Sequence, residues 1–87
     1  MGFFKDMGLI GNVYKHLRAI NAVISSDGGV LWQEDASLVR EHLTELIRIS
    51  NMRNRTIDYA HFDFMGEKLS LDEIIFIVDS FLRSRGY

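Results

Sequence analysis

The sequence contains no cysteine and no proline, and it has no long apolar run. Without cysteine, disulfide bonds, thiolate metal ligands and thiol nucleophiles are excluded, while the redox compartment stays open. Without proline the strongest helix breaker is absent, so glycine is left to separate the helices. No segment approaches the roughly 18 uninterrupted apolar residues that indicate a membrane span.

The charge balance also lacks a dominant sign. With a formal net charge of -2, the chain has no global attraction to nucleic acid or anionic lipid. Its 87 residues, 47% of them hydrophobic, predict a single globular domain over residues 1–87 with one modest core. The first residues lack a basic leader, and Asp6 stands where a myristoylation signal needs Ser or Thr. We therefore expect a cytoplasmic protein that makes no membrane contact.

The first 24 residues have the apolar pattern of a helix. Apolar side chains recur at alternating steps of four and three residues from Phe3 to Ile24, and further apolar residues widen this face to roughly half the circumference. Asn21 occupies the one position of this repeat where an apolar residue is expected and a polar one stands. A polar residue there either sets the register of a helix pair or bonds to nearby backbone.

Two further helices are predicted after the glycine turn in "SSDGGV". One spans about Glu34 to Met52, with Trp32 packed at its entrance. Its core face is predicted to carry Ala36, Val39, Leu43, Leu46 and Ile47. The other spans Leu71 to about Arg83, because Ser70 and Glu73 have the S-x-x-E spacing of a capping box.

The segment between these two helices is harder to assign. Residues from about Thr56 to Met65 are interpreted as a short helix, although "YAHFDFM" alternates enough to form a strand. With that interpretation the fold class is all-α: a compact bundle of three or four helices, arranged as helical hairpins joined by glycine turns.

Two short stretches resemble known families. "NAVISSDGGVLWQED" resembles the helix–turn–helix segment of tellurite-resistance TerB-like domains and, more loosely, of EF-hand proteins; the similarity covers under a third of the chain. A calcium loop would need an oxygen ligand at Val23, so no calcium is expected. Ser70-Leu71-Asp72 resembles the Asp-Ser-Leu attachment site of acyl carrier proteins, but Leu69 precedes the serine and only one helix follows. Neither resemblance identifies a family, and Ser70 is interpreted as a helix cap.

No pattern in the chain indicates catalysis, a metal or a cofactor, and we expect a protein that is not an enzyme. Nucleophile elbows and glycine-rich phosphate loops are absent from the sequence. His16, His42 and His61 form no local ligand pair, and the sequence leaves open whether they converge in space.

The basic residues offer one alternative function. Arg48, Arg53 and Arg55 are concentrated in "RISNMRNR", and with Lys15 and Arg18 they would form a phosphate-contacting patch if the fold brought them together. That arrangement would suit a regulator that binds nucleic acid. No aromatic residues are interleaved with these arginines, so a solvated helix end is the competing interpretation.

The preferred function is a protein–protein contact. On the last helix the neighbours of Phe76 at i±3 and i±4 are all polar: Asp72, Glu73, Asp79 and Ser80. Phe76 is therefore expected to point away from the core, and Phe4 is placed similarly on the first helix. Aromatic anchors of this kind are common at the centres of interfaces. We expect a small adaptor or regulator that binds a protein partner or forms a homodimer through Phe76, Phe4 and Asp79.

Overall fold

The computed structural model describes the backbone of residues 2–87 and the side chains of residues 8–87. Within that range the elements follow in the order α1 (Gly2–Ser25), α2 (Gln33–Asn51), α3 (Arg55–Asp58), β1 (His61–Phe64), β2 (Glu67–Ser70) and α4 (Leu71–Ser84). Helices α1 and α2 form the most extensive pairing, and α4 packs against α2. The three predicted long helices therefore exist, with bounds that differ from the predicted ones by at most one residue.

The all-α fold class is wrong, because β1 and β2 form a two-stranded antiparallel sheet. Along β1 exposure alternates, with Phe62 and Phe64 buried, which is the period-two pattern of a half-buried strand. Met65 and Gly66 both have positive φ, 54° and 81°, as a two-residue hairpin turn with primed geometry requires. The helix predicted from Thr56 to Met65 is limited to the single turn α3, and a strand follows it.

The core is built from one face of each long helix together with β1. On α2 the predicted core residues Ala36, Val39, Leu43 and Leu46 are buried, and Ile49 joins them. Ile47 is 39% exposed, so its assignment to the core face is wrong, and Trp32, which was predicted to pack at the entrance of this helix, is 68% exposed. Trp32 is the N-cap of α2 and has extended backbone angles, which place it outside the helix. Ile47 lies beside the buried stripe, on the margin that borders α4.

The end of the chain is fastened to the turn between α1 and α2. The Arg85 guanidinium donates to the Asp27 carboxylate, with Nε 2.9 Å from Oδ2, and this contact holds the pKa of Asp27 below its usual range. The Tyr87 hydroxyl donates to the backbone carbonyl of Leu31 at 2.9 Å. These contacts fix the C-terminal end of α4 beside the first helical hairpin.

Candidate functional site

The N-terminus of α4 is formed by a complete capping box. Ser70 Oγ accepts a hydrogen bond from the Glu73 backbone N–H at 3.2 Å, and Glu73 Oε1 accepts one from the Ser70 N–H at 2.8 Å. The hydrogen bond that the Ser70 backbone N–H donates to the Glu73 carboxylate, with a further contribution from the Ser70 side chain, holds the pKa of Glu73 below its usual range. Because two N–H groups at the helix end are satisfied in this way, Ser70 is a structural cap, as the spacing predicts.

Phe76 lies on the outer face of α4, as its polar neighbours predict. Its side chain is 73% exposed, whereas Ile74, Val78 and Leu82 on the opposite face are buried. An exposed aromatic ring on a rigid helix is a ready contact for another macromolecule, because it loses little conformational freedom when it is covered.

Two polar contacts join this face of α4 to α2. Ser50 Oγ donates to Asp72 Oδ1 at 2.8 Å, and Arg40 lies 3.6 Å from Asp79. The order of these residues shows that α2 and α4 run antiparallel. Ile47 lies between Arg40 and Ser50 on α2, as Phe76 lies between Asp72 and Asp79 on α4. We call the surface made by these six residues and the adjoining Glu73 and Arg83 the α4 face.

Asp79 lies between two arginines. Arg83 Nε donates to Asp79 Oδ2 at 2.7 Å, and Arg40 approaches the other oxygen. The hydrogen bond from Arg83, which outweighs the partial burial, holds the pKa of Asp79 below its usual range. This end of the α4 face therefore has a net charge of +1, whereas Asp72 and the neighbouring Glu73 give the other end -2.

The fold brings three of the five predicted phosphate-contacting residues together. Lys15, Arg18 and Arg53 line one open groove of about 790 Å³ between α1 and the end of α2. Arg48 is outside it and pairs with Glu45 at 2.9 Å, and Arg55 does not line it either. The groove lining is completed by Gly8, Leu9, Gly11, Asn12, Met52 and Asn54. We call this cavity the basic groove.

His16 and His42 meet at the interface of α1 and α2, while His61 lies apart on β1. Their Nδ1 atoms are 2.8 Å apart, and the ring centroids are separated by 5.1 Å. His16 is only 8% exposed, and burial together with the nearby His42 lowers its pKa. In the part of the chain with described side chains, no cluster of three or more His, Asp or Glu residues is arranged to hold a metal.

The other predicted site residues are placed differently. Phe4 belongs to α1, but its side chain is outside the described residues. Asn21 is exposed on α1, so its predicted place on the apolar face of this helix is wrong. The structure gives no support for a register-setting role within the protomer. Asn21 is exposed because Leu17 and Ile20 pack into the core, and the helical rotation turns the residue that follows Ile20 toward solvent.

Sequence reasoning missed the His16–His42 contact and the link between Arg85 and Asp27. Both join residues that are distant in sequence, by 26 and 58 positions. The sequence carries one signal for the first pair, since each histidine lies at the edge of an apolar helical face. It carries no comparable signal for the second pair.

Comparison with known proteins found no matching family model, no similar curated protein and no similar solved structure. Among residues 2–87, no helix combines the length and the apolar character needed to cross a membrane.

Proposed function

We propose that this protein is a non-enzymatic adaptor or regulator that works by protein–protein contact, and that the α4 face joins two copies of the chain. The observation that carries the proposal is the 73% exposure of Phe76 at the centre of a face whose margins are polar. An apolar centre with a polar rim is the usual anatomy of a protein interface. The cytoplasmic location expected from the sequence is part of the same proposal.

The distribution of charge supports a second copy as the partner. The end of the α4 face at Asp72 and Glu73 is negative, and the end where Arg40 and Arg83 flank Asp79 is positive. A two-fold axis through the middle of α4 would pair each end with the opposite end of the other copy. Homodimers commonly use such self-complementary surfaces.

The size of the expected effect follows from the aromatic rings. Burying one phenylalanine side chain contributes roughly 1.5–3 kcal/mol, and a symmetric dimer would bury two copies of Phe76. Roughly 3–6 kcal/mol would therefore depend on this residue. Since 1.4 kcal/mol corresponds to a factor of ten in affinity, removing both rings would weaken the dimer at least about 100-fold.

Sedimentation equilibrium over a range of protein concentrations tests the proposal. We expect the wild type to dimerise, and the Phe76→Glu variant to have a dissociation constant at least about 100-fold higher. Tyr59→Glu is the matched control, because Tyr59 is an aromatic residue of nearly equal exposure, 75%, outside α4. A monomeric wild type, or an equal loss in both variants, would contradict the proposal.

The orientation of the two copies can be tested by exchanging charges. Asp72→Lys and Arg83→Glu should each weaken the dimer, because each places like charges opposite one another. The double variant should regain most of the lost affinity. Weakening that simply adds in the double variant would argue against antiparallel pairing of α4.

A further inference from the structure

The basic groove has an uncommon concentration of unpaired positive charge. Of the described lysines and arginines, five form ion pairs with carboxylates: Arg40, Arg48, Lys68, Arg83 and Arg85. Lys15, Arg18 and Arg53 have no ion pair to a described carboxylate, and all three line the groove. Among residues 8–87, no acidic residue lines it. The groove is therefore a local positive region on a chain whose net charge is -2.

One wall of the groove is a continuous stripe of α1. Gly8, Gly11, Lys15 and Arg18 follow one another at steps of three and four residues, so they lie on the same side of the helix. At Gly8 and Gly11 an added Cβ would meet no atom within 4 Å, so the helix backbone borders open space there. Lys15 and Arg18 come next along the same stripe, which places a bare helix surface beside two cations.

The opposite wall is the segment that ends α2. Arg53 has a φ of 56° in the left-handed region, which ends α2 and turns the chain toward α3. Arg53 also borders a smaller cavity of about 140 Å³ that is lined by Asp58 and Asp72, so its charge is shared between two cavities. The positive charge that belongs to the basic groove alone is that of Lys15 and Arg18.

We propose that the basic groove binds the phosphate group of a small phosphorylated molecule. Lysine and arginine are the side chains that bind phosphate most strongly, through charge-assisted hydrogen bonds. Leu9 and Met52 supply apolar surface for the organic part of the ligand, and Asn12 supplies an amide. The volume of about 790 Å³ lies within the range of small-molecule sites, about 300–1,000 Å³.

The same residues favour a small ligand over a nucleic acid. None of the described side chains that line the basic groove is aromatic, so they offer no platform on which bases would stack. The chain as a whole is acidic and would repel a long polyanion, whereas a single phosphate group interacts mainly with the charges nearest to it. Arg48 and Arg55, which would extend a nucleic-acid track, lie outside the groove.

An amide NMR titration at low ionic strength tests the proposal, with inorganic phosphate, phenyl phosphate and a single-stranded oligothymidylate as probes. We expect both phosphates to shift the backbone amides of Gly8, Gly11 and Asn54. Lys15→Gln and Arg18→Gln should each weaken phosphate binding about tenfold. Arg55→Gln is the matched control, because it removes the same charge outside the groove, and its effect should stay below about twofold.

The outcomes separate the sources of the phosphate and the competing explanations. Tighter binding of phenyl phosphate than of inorganic phosphate would identify an organic ligand, and equal binding would identify free phosphate as sufficient. Equal weakening by Arg55→Gln and Arg18→Gln would overturn the proposal in favour of general charge attraction. The absence of shifts at the groove amides would overturn it too, as would binding of the oligothymidylate alone. Phe76→Glu should leave phosphate binding unchanged, so this test is independent of the dimer.

Discussion

Lowering the pH should destabilise this protein by protonating His16, which is buried between α1 and α2 and contacts His42. With the Nδ1 atoms of His16 and His42 2.8 Å apart, one ring donates a hydrogen bond and the other accepts it. Burial lowers the pKa of His16 most, followed by the proximity of His42; the Lys15 and Arg48 charges add to this, and only Glu45 acts in the opposite sense. The folded protein therefore binds a proton on His16 less readily than the unfolded chain does.

The sign and the size of the effect follow from that difference. In the unfolded chain His16 takes up its proton near the ordinary value of about 6.5, and in the folded protein it does so at a lower pH. Stability should be constant above about pH 7.5 and should fall below it by at most about 1.4 kcal/mol per pH unit until His16 is protonated in both states. At pH 5.5 the loss from this one group is therefore at most about 1.4 kcal/mol, a measurable part of the stability of a small domain.

Urea unfolding followed by circular dichroism, at a series of pH values between about 8 and 5.5, measures this loss. The window stays above the range in which ordinary carboxylates titrate. In the His16→Leu variant we expect the free energy of unfolding to depend less on pH. The slope should fall by most of the value for one bound proton, about 1.4 kcal/mol per pH unit. His61→Gln is the control, because His61 is exposed on β1 and lies apart from the pair. Equal slopes in the wild type and His16→Leu would refute the reasoning, and so would the same flattening in His61→Gln.

Two substitutions test the local geometry around the hairpin and α4. Ser70→Ala removes the N-cap and should lower the free energy of unfolding by about 1 kcal/mol. Ser80→Ala, at an exposed position inside the same helix, should not be destabilising. Denaturant unfolding measures both variants, and equal effects would contradict the capping argument. Gly66→Ala forces a side chain to adopt a φ of 81° and should cost about 1 kcal/mol or more, whereas Gly28→Ala, which has open space and no positive φ, should cost less. Thermal unfolding compares the two, and an unchanged melting temperature in Gly66→Ala would contradict the turn assignment.

The parts of the fold that could be predicted from sequence are those that depend on neighbours within one helix. The capping box at Ser70 needs only a spacing of three residues, and both of its hydrogen bonds are present. The outward position of Phe76 depends only on its i±3 and i±4 neighbours, and the structure confirms it. In each case the helical repeat brings the relevant residues together without help from the rest of the chain.

The hairpin could not be predicted in the same way, because a strand is defined by its partner. His61–Phe64 is only four residues long, too short for its alternation to be distinguished from one face of a helix. What decides for a strand is pairing across the turn, with Phe62 opposite Leu69 and Phe64 opposite Glu67. The turn depends on Met65 at a φ of 54°, a conformation that a methionine in the sequence does not signal.

The two candidate surfaces also differ in how far they depend on contacts between elements, and this difference decides how each surface should be tested. The outward position of Phe76 on the α4 face depends on one helix, so a single substitution at Phe76 probes this face while leaving the packing of α1 against α2 intact. The basic groove exists only because α1 and the end of α2 meet, and Lys15 and Met52 in its lining are 37 positions apart in the sequence. Its binding therefore depends on the same helix pairing as the His16–His42 contact.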